Sequence, residues 1–417
     1  MRVKQQYASI QRVIRSLGPG ILMATAAIGG SHLVAATQAG ANYGWQLALL
    51  ILAVNIFKYP FFRAAVSYTV SSGQSLQQGY ARMGRGYLVA ALGVNCIAAV
   101  VNAAALLMFS ASLLGYFLPV ALPIPILSAL VLASILFILL AGHFSAMNKI
   151  AKLIMFVLVV STLVAATAAA VNGPVAPASF KSESPWSLVA IGFLVVTMGW
   201  MPAPIEISAI TSLWLKRQKQ TQSVTPTSAL FDFNLGYITT MLLALVFLAL
   251  GALVLHGSGQ VLASGGIGFS QQLVDLYANT IGEWSRWLIA IIAFLCIFGS
   301  ALTVYDGYCR AITEAFSLLK GSADIPQKQF SGVLTVVAII SFTIVLFFKS
   351  ALLAMLGFAM TLAFITTPLF AWLNHRLVKM SSLDETLKGG RWLVVLSYVG
   401  LVYLFGFLAV FLWWKFI

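Results

Sequence analysis

Apolar residues run along this chain in stretches of about twenty or more, separated by short clusters of Gly, Pro and charge. A stretch of that length, wound as a helix, crosses a hydrocarbon core roughly 30 Å thick. The punctuation delimits eleven of them, near residues 17 to 40, 44 to 70, 86 to 118, 121 to 142, 148 to 172, 186 to 214, 228 to 256, 284 to 318, 331 to 349, 351 to 378 and 391 to 416. The pattern predicts an all-α polytopic membrane protein with eleven transmembrane helices and only short loops. No soluble domain fits between them.

Spans 1 and 6 are interrupted near their middles, by "IGGSH" at residues 28 to 32 and by "GWMPAP" at residues 199 to 204. A proline without an N–H, or a glycine pair, frees backbone carbonyls and amides inside the membrane, and these groups must line a cavity or be buried in protein. Two interrupted helices five spans apart predict a 5+5 inverted repeat with its substrate site at the midplane between the breaks. The repeats would occupy residues 17 to 172 and 186 to 378, joined by an external loop over 173 to 185. Residues 379 to 417 would add a cytoplasmic loop and one extra C-terminal helix.

Composition agrees with this reading: 61% of the 417 residues are hydrophobic and 8% are charged, against about 25% charged residues in soluble domains. The net charge of +14 would suggest nucleic acid but for its distribution. Lys181, Arg286, Lys349 and Lys415 fall on one side of the predicted spans, and most other Lys and Arg fall opposite. That asymmetry places the N-terminus in the cytoplasm and the C-terminus outside, with the lipid bilayer as partner and no nucleic acid. The basic segment 1 to 16 reads as a cytoplasmic arm rather than a cleaved signal, and the short loops suit a bacterial inner membrane. Cys96, Cys296 and Cys309 have no CxxC spacing, so they indicate neither zinc nor disulfides. No Walker sequence, nucleotide fingerprint or catalytic triad is present, which points away from an enzyme and from any cofactor.

The stretch "LGPGILMATAAIGGSHLVAATQAGANYGWQLALLIL" resembles the first span of the NRAMP divalent metal transporters, with "GPG", a broken centre, "QAGA" and "YG" in the same order. "MGWMPAPIEISAITSLW" resembles that family's sixth span around a Met-Pro pair, and "FDFNLGYITT" the start of its seventh. The resemblance implies a LeuT-like fold and transport of divalent cations. In metal-transporting members the first break reads Asp-Pro-Gly-Asn, with Asp and Asn as ligands; Gly29, Gly30, Ser31 and His32 stand there in this chain. Met201 matches the family's methionine ligand and Met198 its upstream carbonyl position, whereas Ala203 and Ser208 replace two histidines. Span 3 lacks the acids of the family's proton route and offers Asn95 and Asn102.

Ionisable groups are costly inside a bilayer and so are candidates for function. Only Glu206, Asp232, Asp306 and Glu314 are acidic within the predicted spans. Glu206 is placed to coordinate a cation, accept a proton, or cap the second half-helix of span 6. His32 would face the same midplane region, with an imidazole suited to a transition metal or an organic anion. Asp306 and Arg310 share a helix face as an i, i+4 pair, either a structural ion pair or a proton relay and inner gate. Asp232 would cap the seventh span or line the inner vestibule. Lys58, near mid-membrane, would repel cations or pair with Glu206.

The economical function is secondary transport. One substrate is a divalent transition metal of the manganese or iron class, held by His32, Met201, Glu206 and backbone carbonyls, in symport with protons. The alternative is a small organic solute, an amino acid or carboxylate, for which Gly29 and Gly30 leave room. A homologue acting as a non-transporting sensor is a third class.

Overall fold

The computed structural model describes residues 17–141, 144–177, 179–260, 263, 265–322 and 324–416; the arm expected over 1 to 16 lies outside them. The described residues form helices and no strand. In order these are α1 (Pro19–Ala27), α2 (Ser31–Tyr43), α3 (Ala48–Ser72), α4 (Leu76–Met83), α5 (Arg85–Tyr116), α6 (Ile124–Leu140) and α7 (Phe144–Asn172). Then follow α8 (Leu188–Gly199), α9 (Ile207–Thr221), α10 (Pro226–Leu255), α11 (Gly266–Ile281), α12 (Arg286–Leu319), α13 (Gln327–Phe348), α14 (Leu352–Met380) and α15 (Arg391–Phe416).

Among the described residues, eight helices are long and apolar enough to cross a membrane, and the pair α1 and α2, bent by 47°, makes a ninth span. The other two expected spans fall on α6, with 17 residues, and on α8 and α9, which are separated by the second break. Two helices lie where only loop is expected. The short α4 starts at a capping box in which Ser75 and Gln78 satisfy each other's backbone amides. Further on, α11 buries Phe269, Leu273 and Leu276 on one face, a mixed apolar and polar helix that a search for continuous apolar runs passes over.

The core lies where α5 packs on α12 and α1 on α10, with α14 against α8 and α9 against α3. At the α1–α10 crossing a Cβ on Gly20 would fall 2.2 Å from the Asp232 carbonyl oxygen, and one on Gly236 would fall 2.3 Å from the Gly20 carbonyl oxygen. Only glycine admits that approach, so these two backbones touch directly. Most of α15 faces outward and its inner edge lies on α3 and α14.

Candidate functional site

The first break leaves carbonyls open at the end of α1, and α12 closes them. Ser300 donates to the Thr25 carbonyl at 2.9 Å and lies 3.3 Å from that of Ile28, which also accepts from Cys296 Sγ at 3.0 Å. Gly29 lies against Ser300 and Gly30 against the Trp200 ring, whose Cζ3 would be 2.6 Å from a Cβ at Gly30. Trp200 thus lies directly over the first break.

Beyond the glycines, α2 opens with a π-helical turn over Ser31–Ala36, a feature frequent at functional sites. His32 is fully buried there and points toward α10: its Nε2 lies 2.8 Å from the Thr240 carbonyl oxygen and its Nδ1 2.6 Å from Ser31 Oγ. Ser31 in turn donates to the Ala27 carbonyl at 2.6 Å. Both imidazole nitrogens are therefore engaged in a structural network, and the ring meets Phe247 edge-on. A metal would have to displace one of these partners to reach it.

The second break runs from Trp200 to Glu206. Its carbonyls are held by Lys58, whose Nζ donates to Met198 at 2.8 Å, Gly199 at 3.1 Å and Ala203 at 3.4 Å. The Met198 sulfur faces away and accepts from the Tyr403 hydroxyl of α15 at 2.9 Å. Met201 is fully buried. Glu206 stands at the N-cap of α9, yet its side chain makes no capping hydrogen bond. Instead Oε1 accepts from the Tyr308 hydroxyl at 3.3 Å and Oε2 has no hydrogen-bond partner. Lys58 and Glu206 act on each other through space, with no direct ion pair between them.

A small cavity of about 20 Å³ lies between the two breaks, with Ala26, Gly30, Asn102, Trp200, Ala203 and Tyr308 in its wall. Its polar side is a chain: Asn102 Nδ2 donates to the Tyr308 hydroxyl at 3.1 Å, which donates to Glu206 at 3.3 Å. Asn102 Oδ1 is buried and unpartnered. Of the residues singled out at the breaks, Gly30 and Ala203 line this cavity; Gly29, Ser31, His32, Met198 and Met201 do not, and Glu206 reaches it through Tyr308. Tyr308, in "TVYDGYCR", carries no charge that would single it out among intramembrane ionisable groups. Its place two residues after Asp306 puts it on a different helix face.

The remaining candidates lie outside this cavity. Asp232 is not the cap of its own helix, which Thr225 caps; its carboxylate accepts from the amides of Gly18 at 3.0 Å and Gly20 at 2.7 Å, across the α1–α10 crossing. Arg310 donates to Asp306 at 2.8 Å and stacks 4.5 Å over the Phe330 ring. Glu314 is buried and takes hydrogen bonds from Ser75 at 2.7 Å and Lys216 at 3.3 Å, joining α4, α9 and α12. Among the described residues no group of three or more His, Cys, Asp and Glu is arranged to hold a metal ion.

Two apolar helices broken at their centres, with one cavity between the breaks, are the scaffold of a LeuT-like membrane transporter. Solved structures share it. A manganese transporter of Eremococcus coleocola, in complex with an aromatic bis-isothiourea substituted compound, superposes with a TM-score of 0.69 at 16% identity, over 96% of this chain and 86% of its own. MhsT in complex with L-phenylalanine superposes at 0.62 with 12% identity, over 93% and 97%. Mhp1, a nucleobase-cation-symport-1 family transporter with bromovinylhydantoin bound, does so at 0.60 with 13% identity, over 95% and 92%. These likenesses show the fold. In sequence, the natural resistance-associated macrophage protein-like family matches residues 20–414. An uncharacterized protein of Pasteurella multocida (strain Pm70), PM0681, is 47% identical over 95% of this chain and 92% of its own length. The chain belongs to the natural resistance-associated macrophage protein-like family and is a membrane transporter of that type.

Proposed function

We propose that the cavity between the two breaks is the substrate site, and that its substrate is a small organic solute bringing a hydrogen-bond donor, an amine above all, to Asn102 and Tyr308. The single observation that carries this reading is the buried Asn102–Tyr308–Glu206 chain, which leaves Asn102 Oδ1 and Glu206 Oε2 as unpaired acceptors. An unpaired buried acceptor costs about 1–3 kcal/mol, which a donor on the substrate would recover. The rest of the wall is mostly apolar, suited to a carbon skeleton that enters as the two breaks move apart. His32 and Met201, the soft ligands a transition metal would favour, face elsewhere or lie off the cavity wall, and Lys58 Nζ already occupies the break's carbonyls.

A divalent cation bound through oxygens is the second reading. Membership of a family with a manganese transporter among its solved relatives favours it, as does the unpaired Glu206 oxygen. In either case Glu206, buried one tyrosine away from the cavity, is the group placed to carry a coupled proton. We further assign the positive-inside topology to a bacterial inner membrane, with the two repeats at 17 to 172 and 186 to 378.

A thermal-unfolding screen of purified protein separates the two readings. Stabilisation by members of an amino-acid and amine panel, lost in Asn102→Ala, is expected. Stabilisation by manganese alone would replace the first reading by the second.

A further inference from the structure

Lys58 projects from the middle of α3 and is fully buried, with its Nζ at 2.8, 3.1 and 3.4 Å from the carbonyl oxygens of Met198, Gly199 and Ala203. Met198 and Gly199 end α8, and Ala203 belongs to the non-helical segment before α9. The last carbonyls of a helix have no partner within it and carry the negative end of its dipole. Two such carbonyls, with that of Ala203 beside them, converge on one point and make a cation site. An ammonium has three N–H donors, whereas a neutral amine has two and turns a lone pair toward the third acceptor. The count of three carbonyls therefore selects the charged form of Lys58.

We propose that the carbonyl cage at the α8–α9 break is a monovalent-cation site permanently filled by the chain's own Lys58 ammonium. One tethered positive charge does the work a free ion would do in joining the two half-helices. The carrier thereby holds its second break without taking sodium or potassium from solution, and the same carbonyls are closed to a divalent ion. Removing the ammonium leaves three preoriented acceptors buried without a donor, so the cage should regain affinity for a free monovalent cation.

The test is thermal unfolding of the purified full-length protein, Lys58→Ala and Lys58→Gln in choline, sodium, potassium, methylammonium or manganese chloride at matched ionic strength. The wild-type midpoint should be the same in choline, sodium and potassium. Both variants should unfold earlier in choline and recover part of the loss in methylammonium, sodium or potassium, with methylammonium restoring the missing group itself. A wild type that is stabilised by sodium or potassium over choline overturns the proposal, as do folded variants indifferent to all cations or rescued by manganese alone. Where Lys58→Ala is lost during purification in choline, its recovery in methylammonium counts for the proposal. Failure of both variants to fold in every salt counts against it, because the tether rather than the charge would then be what matters. Choline, sodium and potassium are neither of the two proposed cargoes, so a negative result in those salts leaves the carrier reading standing.

Discussion

Asp232 shows how an acidic residue inside an apolar helix can be structural. Its two oxygens receive the Gly18 and Gly20 amides at the start of α1, where Pro19 has no amide to offer, so the helix's positive end meets a carboxylate from another span. Asp232→Ala should lower stability by about 2 kcal/mol, the range for charge-assisted hydrogen bonds, read as an earlier unfolding midpoint in detergent. Glu206→Gln keeps the size of the side chain but removes its charge. It should leave the unfolding midpoint near wild type while abolishing any dependence of uptake on a proton gradient. That both acids matter was legible from their rarity in apolar spans. Their partners were not: Asp232 and Gly18 are 214 positions apart, and no local pattern reports which span lies against which. His32 makes the same point in reverse. Its place beside a glycine pair suggested the cavity, and the helix phase set by the π-turn aims it at Thr240 instead.

Helix breaks were the most readable elements, because glycine pairs and prolines cannot continue a buried helix without freeing backbone groups. What satisfies those groups was unreadable. Ser300 and Cys296 come from α12 and Lys58 from α3, far away in the chain. The close crossings belong to the same scale. A Cβ at Gly199 would lie 1.9 Å from the Met360 carbonyl oxygen on α14, whereas one at Gly93 would meet nothing within 4 Å. Gly199→Ala should therefore destabilise the protein by about 1–3 kcal/mol through overpacking. Gly93→Ala, on an exposed position of α5, should be neutral or up to about 1 kcal/mol more stable through reduced backbone freedom in the unfolded chain. Thermal unfolding of the two variants side by side gives the comparison, and equal losses would contradict the direct backbone contact between α8 and α14.

For the whole molecule, the alternation of apolar runs and charge was enough to indicate a polytopic helical membrane protein, and the family resemblance around the breaks enough to indicate a LeuT-like fold. The shared scaffold leaves the cargo open, since fold alone does not determine chemistry. Here the cavity's own groups carry the argument: an apolar wall, an unpaired Asn102 oxygen, and a tyrosine that connects to a buried carboxylate. Uptake of labelled manganese and of a labelled amino-acid mixture, measured in the same proteoliposomes with wild type and Asn102→Ala, tests that argument most directly. The account predicts saturable amino-acid accumulation that Asn102→Ala abolishes, and manganese uptake no faster than into protein-free liposomes; saturable manganese uptake without amino-acid uptake would contradict it.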